Sequence, residues 1–221
     1  MIKKNILVPK TARYFVLGEP NGDIKYVWFV CHGYAQLANF FLKNFELLSS
    51  KNSLVIAPEG LHRFYWKNFD GHIVASWMTK EDRLDDINDY VNYLDLVYKE
   101  VLAQLPDKKV IVNVIGFSQG GATVSRWLSQ GKSKIDNLIL WASVFPPDIN
   151  IQVSKQKLNQ TDLVLIVGNQ DEYISPVQFE QHCDLLKKQN IRFRSIIFNG
   201  KHEINESVLK QLSGELTTNN F

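Results

Sequence analysis

The sequence predicts an α/β fold, with a mostly parallel central sheet flanked by helices in a single domain over residues 1–221. One observation is that short apolar runs rich in β-branched residues alternate with longer segments of helical periodicity. A second is that Val110–Ile115 is almost entirely apolar, which is typical of a strand buried on both faces. A third is that 45% of the 221 residues are hydrophobic and no repeat or linker divides them, so one sizeable core is expected.

The composition narrows the possible partners and compartments. Lys and Arg number 25 and Asp and Glu number 23, a net charge of +2 that lacks the basic excess of a nucleic-acid-binding protein. No stretch is apolar for long enough to be a signal peptide or a membrane span, so we expect a cytoplasmic protein without an integral membrane segment. Cys31 and Cys183 form no metal-ligand spacing and are expected to be reduced, buried packing residues. The expected state is a monomer or homodimer with no metal or organic cofactor.

The first elements of the chain predict an antiparallel edge beside the main sheet. Ala12–Leu17 and Ile24–Cys31 flank Asn21-Gly22, a dipeptide that favours a tight hairpin turn. Ser53–Ala57 is a short strand. Four apolar residues at helical spacing precede it: Phe40, Phe41, Phe45 and Leu48.

A long helix is predicted after a capping box at Thr79–Asp82, in which Asp82 can accept the backbone N–H of Thr79. Its apolar stripe consists of Leu84, Ile87, Val91, Leu94, Val97, Val101 and Leu105. The remaining predicted elements are a helix from Gln119 to Gly131, strands at Leu138–Ala142 and Leu163–Val167, a helix at Pro176–Gln189, a strand at Phe193–Phe198 and a closing helix from about Asn205.

One motif indicates a candidate catalytic residue. The strand Val110–Ile115 runs into Gly116-Phe117-Ser118-Gln119-Gly120, a G-x-S-x-G pattern followed by helical sequence. In that context the serine occupies a sharp strand-to-helix turn, and glycine is needed two positions to either side because a side chain would collide with neighbouring backbone. The Gln119 N–H then points to where an oxyanion forms, and the helix N-terminus adds partial positive charge there. Ser118 is the candidate nucleophile, and the alternative is an idle serine in a tight turn.

A nucleophilic serine needs a base and an orienting carboxylate, which in this motif follow in the order Ser, Asp or Glu, His. Asp171 comes shortly after the strand Leu163–Val167 and His202 shortly after Phe193–Phe198. Both are therefore expected at the carboxyl ends of strands, on the side where Ser118 emerges. The competing residues are Glu172, Asp162 at the wrong end of its strand, His182 within a predicted helix, and His62 and His72, which precede the serine.

A second oxyanion-hole donor is predicted after the Ile24–Cys31 strand. The strand ends at Cys31-His32-Gly33-Tyr34. Hydrolases with the G-x-S-x-G motif place the second N–H of the oxyanion hole after this strand. We expect the Tyr34 N–H to be that donor and His32 to support the loop without acting as a base. The alternative is a turn that merely ends the strand.

Together these residues resemble an α/β-hydrolase of the phospholipase/carboxylesterase group, which includes the acyl-protein thioesterases. The matching pieces are His32-Gly33, Ser76-Trp77, Gly116-Phe117-Ser118-Gln119-Gly120-Gly121-Ala122, Gly168-Asn169-Gln170-Asp171 and His202-Glu203-Ile204. The resemblance implies an α/β-hydrolase fold, and at 221 residues such a core is expected to leave no room for a large cap domain. It also implies Ser118 as nucleophile, His202 as general base, Asp171 as its orienter, and the Tyr34 and Gln119 amides as the oxyanion hole. Where the group usually continues His-Gly with Leu-Gly-Asp, this chain has Tyr34-Ala35-Gln36, so the resemblance supports reaction type better than substrate.

The segment Gly60–Met78 has no clear period and is rich in aromatic rings, so it is predicted to be a long irregular loop over an apolar substrate pocket. The candidate substrate-binding residues are Phe64, Trp66, Trp77 and Met78. The alternative is that these rings only pack the loop onto the core.

The predicted function is a serine carboxylesterase that hydrolyses small to medium acyl or aryl esters through an acyl-enzyme. Its expected partner is a small-molecule ester or thioester. One alternative is a lysophospholipase or acyl-thioesterase on long-chain substrates. Another is a non-catalytic binding protein on a hydrolase fold.

Overall fold

The structure is a computed structural model that describes residues 1–106 and 109–218. Its strands are β1 (Tyr14–Leu17), β2 (Tyr26–Cys31), β3 (Ser53–Pro58), β4 (His62–Tyr65), β5 (Ile73–Ser76), β6 (Ile111–Phe117), β7 (Asn137–Trp141), β8 (Asp162–Gly168) and β9 (Arg194–Phe198). Within the described chain, seven of them form one sheet in the order β1-β3-β2-β6-β7-β8-β9, and β4 pairs with β5 in a separate hairpin. All neighbours in the large sheet are parallel except β1, which is antiparallel to β3. The predicted α/β class with a mostly parallel sheet is confirmed.

The register of the parallel strands brings their carboxyl ends to one edge of the sheet. Cys31 at the end of β2 pairs with Gly116 of β6, and Gly168 at the end of β8 pairs with Phe198 at the end of β9. The segments that follow these strands therefore emerge side by side. This edge is called the catalytic edge below, because it is where the candidate residues were expected.

Helices cover both faces of the sheet. They are α1 (Ala38–Phe41), a 3-10 helix (Leu42–Leu48), α2 (Arg83–Ala103), α3 (Gln119–Gln130), α4 (Ile151–Asn159), α5 (Pro176–Lys188) and α6 (Glu206–Thr218). The core on one face includes side chains of α2, α3 and α5, and the core on the other includes those of α1, the 3-10 helix and α6. The predicted helices after β6, β8 and β9 are confirmed. Helix α4 was not predicted, because only two of its side chains, Ser154 and Leu158, are buried and its apolar period is weak.

The predicted hairpin between Ala12–Leu17 and Ile24–Cys31 is wrong. Strand β2 already has two parallel neighbours, β3 and β6, and all six of its residues are buried, so it offers no free edge. Strand β1 pairs instead with the outer side of β3. Asn21 still makes a local turn, since its Oδ1 accepts the backbone N–H of Asp23 at 2.7 Å. The antiparallel edge strand is thus present, but with a different partner.

The start of α2 differs from the predicted capping box. Asp82 makes no side-chain cap, and the helix begins at Arg83. Thr79 is held by other bonds: its Oγ1 accepts the Glu81 N–H at 3.2 Å, and its N–H donates to Asp86 Oδ2 at 3.0 Å. Leu84 of the predicted apolar stripe is exposed, whereas the rest of the stripe is buried. Neither α2, at 21 residues, nor any other helix in the described residues is long and apolar enough to cross a membrane.

The segment Gly60–Met78 is not irregular throughout. It contains the antiparallel hairpin of β4 and β5, whose register pairs His62 with Ser76 and Tyr65 with Ile73. The hairpin is tied to the loop after β2, because the Ala35 N–H donates to Ala75 O at 3.0 Å and the Ala75 N–H donates to Gln36 O at 3.1 Å. Its strands are only four residues long, too short to give a clear alternating pattern in the sequence.

Candidate active site

Ser118 occupies the turn between β6 and α3 with a backbone φ of 53° and ψ of −117°. A non-glycine residue at positive φ is strained, typically by about 1–3 kcal/mol, and persists only where the surroundings fix it. Here the Ser118 N–H donates to Trp141 O of β7 at 3.0 Å, and the Ser118 carbonyl accepts the Gly121 N–H at 2.9 Å. The side chain is partly exposed at the catalytic edge. The turn therefore presents the hydroxyl to solvent from a rigid support.

The two glycines around Ser118 are required by close backbone contacts. A Cβ on Gly116 would lie 2.5 Å from Gly120 O. A Cβ on Gly120 would lie 2.1 Å from Cys31 O, in the loop after β2. Real Cβ atoms do not approach so closely, so α3 packs against β6 and the β2 loop only because these positions have no side chain.

Asp171 and His202 come together at the same edge. His202 Nδ1 lies 2.8 Å from Asp171 Oδ2, and the Asp171 side chain is fully buried while the His202 side chain is 14% exposed. The other carboxylate oxygen of Asp171 accepts the N–H groups of Tyr173 at 2.8 Å and Ile174 at 2.9 Å. The carboxylate is thus held from both sides. With Nδ1–H donated to Asp171, the imidazole presents the lone pair of Nε2.

Backbone contacts between two loops set this geometry. The Asn169 N–H donates to Phe198 O at 2.8 Å and the Gln170 N–H to Gly200 O at 2.9 Å. A Cβ on Gly168 would lie 2.3 Å from Gly200 O, so glycine is needed for the loops to approach. The His202 ring packs at 4.9 Å against Phe117, the residue before Ser118.

Tyr34 lies in the loop after β2 and Gln119 is the first residue of α3, and these two segments are in close contact. Gly33, just before Tyr34, is so close to Ser118 that a Cβ on it would lie 3.3 Å from Ser118 Cβ. The N–H groups of the residues on either side of Tyr34 are already hydrogen-bonded. That of Gly33 donates to Gln36 Oε1 at 2.7 Å, and that of Ala35 donates to Ala75 O. Neither the Tyr34 N–H nor the Gln119 N–H has an acceptor in the described chain. Both are free to bind an anion beside Ser118.

His32 supports this loop from beneath. Its Nε2 accepts the Gly60 N–H at 2.9 Å, so Nδ1 carries the proton and donates to Gly33 O at 2.7 Å. The ring is fully buried and stacks on Trp77 at 5.0 Å. Burial lowers the pKa of His32 to about 4. A charged His32 could not accept the Gly60 N–H, so the imidazole is neutral and structural.

This arrangement predicts that acid destabilises the fold through His32. The native pKa of about 4 lies below the ordinary value of 6.5, so between these pH values the unfolded state binds more protons. We expect the free energy of unfolding to fall by about 3 kcal/mol from this group as the pH drops from about 6.5 to about 4. Urea unfolding of His32→Gln across that range should show a shallower pH dependence than the unmodified protein.

His72→Gln is the matched control, because His72 is exposed on the hairpin. His182 is also buried with a pKa lowered to about 4, so part of the pH dependence remains in His32→Gln. An NMR titration of the unmodified protein gives a direct second reading. A His32 ring that takes up its proton near pH 6.5 in the folded state would contradict the prediction.

The Gln119 side chain binds the segment that follows β5. Its Oε1 accepts the Trp77 N–H at 3.2 Å, and its Nε2 donates to Met78 O at 3.1 Å. The Ser76 hydroxyl lies 3.2 Å from Oε1 and donates to it. The residue predicted to supply an oxyanion-hole N–H therefore also anchors the β4–β5 hairpin through its side chain, and we refer to these bonds as the Gln119 anchor.

Two of the four predicted substrate-binding residues are not where they were expected. Trp77 is fully buried, donates its indole N–H to His32 O at 2.8 Å and packs in the core, so it cannot line a pocket. Aromatic content alone did not distinguish it from the exposed rings of the same segment. Met78 is partly buried, and its Sδ lies 3.4 Å from Arg126 Nη1, so it faces α3 and the core.

Phe64 and Trp66 instead join Tyr34 in a cluster of rings at the catalytic edge. Tyr34 lies 5.7 Å from Phe64 and 5.8 Å from Trp66 between ring centres. Tyr34 is 51% exposed and Trp66 is 37% exposed. The cluster stands beside the Tyr34 N–H and forms an apolar wall there.

Comparison with known proteins places this architecture. A family model described as the alpha/beta hydrolase fold matches residues 29–182, more than half of the chain, including Ser118 and Asp171. The chain belongs to the alpha/beta hydrolase fold family. The predicted fold is thereby confirmed. No curated protein sequence matches this family member.

Solved structures with this alpha/beta hydrolase fold cover almost the whole chain. Acyl-protein thioesterase 2 of Zea mays superposes with a TM-score of 0.70 at 17% identity, covering 95% of this chain and 99% of its own. A carboxylesterase of Bacillus cereus has a TM-score of 0.65 at 14% identity and covers 93% of each chain. A phospholipase/carboxylesterase of Dyadobacter fermentans has a TM-score of 0.64 at 15% identity, covering 97% of this chain and 100% of its own. At these identities the likeness establishes the fold.

The alpha/beta hydrolase site has supports that the sequence analysis did not identify. Glu59, at the end of β3, is 2% exposed and accepts two hydrogen bonds from Arg13, at 2.7 and 3.0 Å. It also accepts the Ala38 N–H at 3.3 Å, which fixes the start of α1 after the loop that follows β2. The sequence does contain a signal for this role, because Glu59 is a charged residue directly after a buried strand at the catalytic edge. Across residues 1–106 and 109–218, no three His, Cys, Asp or Glu side chains gather as metal ligands.

Proposed function

We propose that this protein is a serine carboxylesterase that uses Ser118, His202 and Asp171 as a catalytic triad. The observation that carries the proposal is the 2.8 Å contact of His202 with the buried Asp171 carboxylate, at the edge where the β6–α3 turn presents Ser118. An idle serine in a tight turn would not need a carboxylate-oriented imidazole beside it.

The mechanism is acyl transfer to water through an acyl-enzyme. His202 Nε2 takes the proton of Ser118 Oγ as that oxygen attacks the ester carbonyl carbon. The carbonyl oxygen becomes the oxyanion of the tetrahedral intermediate and accepts the N–H groups of Tyr34 and Gln119. The intermediate collapses, His202 gives its proton to the departing alcohol or thiol, and Ser118 keeps the acyl group. A water, deprotonated by His202, then releases the carboxylic acid and regenerates the serine.

Asp171 acts through His202. Its carboxylate accepts Nδ1–H, which fixes the tautomer with the basic nitrogen toward Ser118 and stabilises the imidazolium formed during attack. The two backbone N–H groups on its other oxygen hold the carboxylate in place. No metal or organic cofactor is required by these steps.

For the acyl side we propose small to medium acyl or aryl groups. The supporting observation is the ring cluster of Tyr34, Phe64 and Trp66, whose mutually tilted rings stand beside the proposed oxyanion hole and offer an apolar wall. Such a wall suits a short chain or an aromatic ring.

A second candidate is hydrolysis of long-chain esters or thioesters, and one cavity favours it. A groove of about 540 Å³ lies between α1 and the start of β5, with Leu37, Phe41 and Val74 among its lining residues. Gln36 also lines it, and the Gln36 amide contacts Gly33 beside Ser118. The groove therefore offers a path for an extended acyl chain.

A series of nitrophenyl esters from acetyl to palmitoyl tests both candidates by their kcat/KM values. We expect hydrolysis throughout the short members, with the highest kcat/KM below about eight carbons. A maximum at longer chains would favour the groove and overturn the short-ester assignment. Absence of hydrolysis across the whole series, with folded protein, would contradict the esterase proposal and favour a binding protein.

A further inference from the structure

Glu59 is a buried carboxylate at the catalytic edge that the proposed mechanism does not use. It follows β3 directly and is 2% exposed. Arg13 binds both of its oxygens, with Nε at 2.7 Å from Oε1 and Nη2 at 3.0 Å from Oε2. The Arg63 guanidinium is 3.8 Å away, which is beyond hydrogen-bond distance. Arg13 is therefore the residue that compensates the buried charge.

The antiparallel direction of β1 brings Arg13 to this edge. Tyr14 of β1 pairs with Pro58 of β3, so the residue before β1 lies beside the residue after β3. The Glu59 N–H donates to Arg13 O at 3.1 Å, and the Tyr93 hydroxyl of α2 donates to the same oxygen at 2.7 Å. The ion pair is thus fixed by backbone bonds as well as by side-chain bonds.

Two hydrogen bonds lead from this segment to the peptide group between Gly33 and Tyr34. Gly60, which follows Glu59, donates its N–H to His32 Nε2 at 2.9 Å, and Nδ1 of the same ring donates to Gly33 O at 2.7 Å. Because a peptide group is planar and trans, holding the Gly33 oxygen also fixes the direction of the Tyr34 N–H. That N–H is one of the two proposed oxyanion-hole donors.

Glu59 also holds the far end of the loop that carries Tyr34. Its Oε2 accepts the Ala38 N–H at 3.3 Å, at the start of α1. Without Arg13, the Glu59 carboxylate would be buried with one backbone donor, and it would move toward water to recover its solvation. Both supports of the loop would then be displaced.

We propose that Arg13 and Glu59 are positioning residues that fix the direction of the Tyr34 N–H in the oxyanion hole. They act through the loop and not on the substrate. An oxyanion hole works because its donors already point to where charge develops, so a rotated peptide group weakens transition-state binding more than substrate binding. The effect on rate rests on the proposed esterase function, whereas the effect on Tyr34 does not.

Arg13→Gln tests the effect on rate with a short nitrophenyl ester. We expect kcat to fall about 30-fold, below the 10²–10³ that the loss of a whole oxyanion-hole donor costs, with KM within about twofold. A short-chain trifluoromethyl ketone, which forms an oxyanion adduct with a nucleophilic serine, should bind more weakly by the same factor as kcat/KM. The pH profile of kcat/KM should keep its shape, because the His202–Asp171 pair is unchanged.

Two further variants control for folding and for the loss of an ion pair. Arg13→Lys keeps the charge and should fold, but an ammonium cannot bind both oxygens as a guanidinium does, so kcat should fall by about three- to tenfold. Arg194→Gln is the matched control. It breaks the ion pair with Glu215 at the start of β9, the other outer strand, whose parallel direction places Arg194 at the opposite edge of the sheet. Its kcat and KM should equal those of the unmodified protein.

The Tyr34 amide gives a reading that needs no ester hydrolysis. Its resonance in ¹⁵N–¹H NMR spectra should shift in both Arg13 variants and stay in place in Arg194→Gln. An unchanged Tyr34 resonance would overturn the proposal, as would folded Arg13 variants whose kcat stays within about twofold of the unmodified protein or whose only change is in KM. Absence of hydrolysis by the unmodified protein, with the Tyr34 shift present, would contradict the esterase and leave the positioning role standing.

Discussion

Replacing Ser118 with alanine is expected to abolish ester hydrolysis, with kcat lowered by about 10⁶. The substitution removes the proposed nucleophilic oxygen and leaves the proposed oxyanion hole and the His202–Asp171 pair in place. It should have little effect on folding, because the Ser118 bonds that hold the turn come from its backbone N–H and carbonyl, which alanine retains. The measurements are kcat on a short nitrophenyl ester and covalent labelling by a fluorophosphonate, followed by mass spectrometry of the labelled peptide.

Ser125→Ala is the matched control. Ser125 is a buried serine of α3, the helix that follows Ser118, and its hydroxyl donates to Gly121 O at 2.7 Å. Its loss should cost about 1 kcal/mol of stability and leave both labelling and turnover intact. If folded Ser118→Ala still hydrolysed the ester or reacted with the fluorophosphonate at the normal rate, another residue would be the nucleophile.

Asp171→Asn is expected to lower kcat by about 10⁴ with the fold preserved. The Asn oxygen must take the place of Oδ1, since the Tyr173 and Ile174 N–H groups need an acceptor there. The amide NH₂ group then faces His202 and requires Nδ1 to accept. The imidazole proton moves to Nε2, and the ring can no longer take the proton of Ser118. Reversing the Asn side chain would place NH₂ against two backbone donors, so this escape is blocked.

Glu172→Gln provides the control for Asp171→Asn. It makes the same carboxylate-to-amide change one residue further along, where Glu172 is exposed and its nearest cation is Lys201 at 3.9 Å. We expect its kcat to stay near that of the unmodified protein. A loss of less than about tenfold in Asp171→Asn would exclude Asp171 as the orienting carboxylate.

The sequence was most informative where one local pattern determines both backbone and chemistry. The run from β6 through Ser118 into α3 was predicted within two residues, because a buried strand, a sharp turn and a helix leave little freedom there. The pairing of Asp171 with His202 followed from strand order, since parallel strands deliver their following loops to one edge. The roles proposed for these residues remain predictions.

The sequence was least informative where long-range packing decides. The Asn21-Gly22 signal was real as a turn, but β2 had two better partners and β1 went to β3 instead. Trp77 and Trp66 are close in sequence and chemically identical, yet one lies in the core and the other at the surface. That difference depends on which side of the β4–β5 hairpin each residue occupies and on the bonds around His32. The pattern of residues along the sequence reveals neither.

The Gln119 anchor has a consequence for substrate entry. A hinged lid must separate from the protein body without disturbing the catalytic groups. Here the base of the hairpin is held by bonds to Gln119, which supplies one proposed oxyanion-hole amide, and by a backbone pairing with the loop that supplies the other. Swinging the hairpin outward would break both supports at once and dismantle the site it was opening. The hairpin should therefore stay in place while substrates enter past it. Turnover should be limited by chemistry or product release and not by a gating motion of this hairpin.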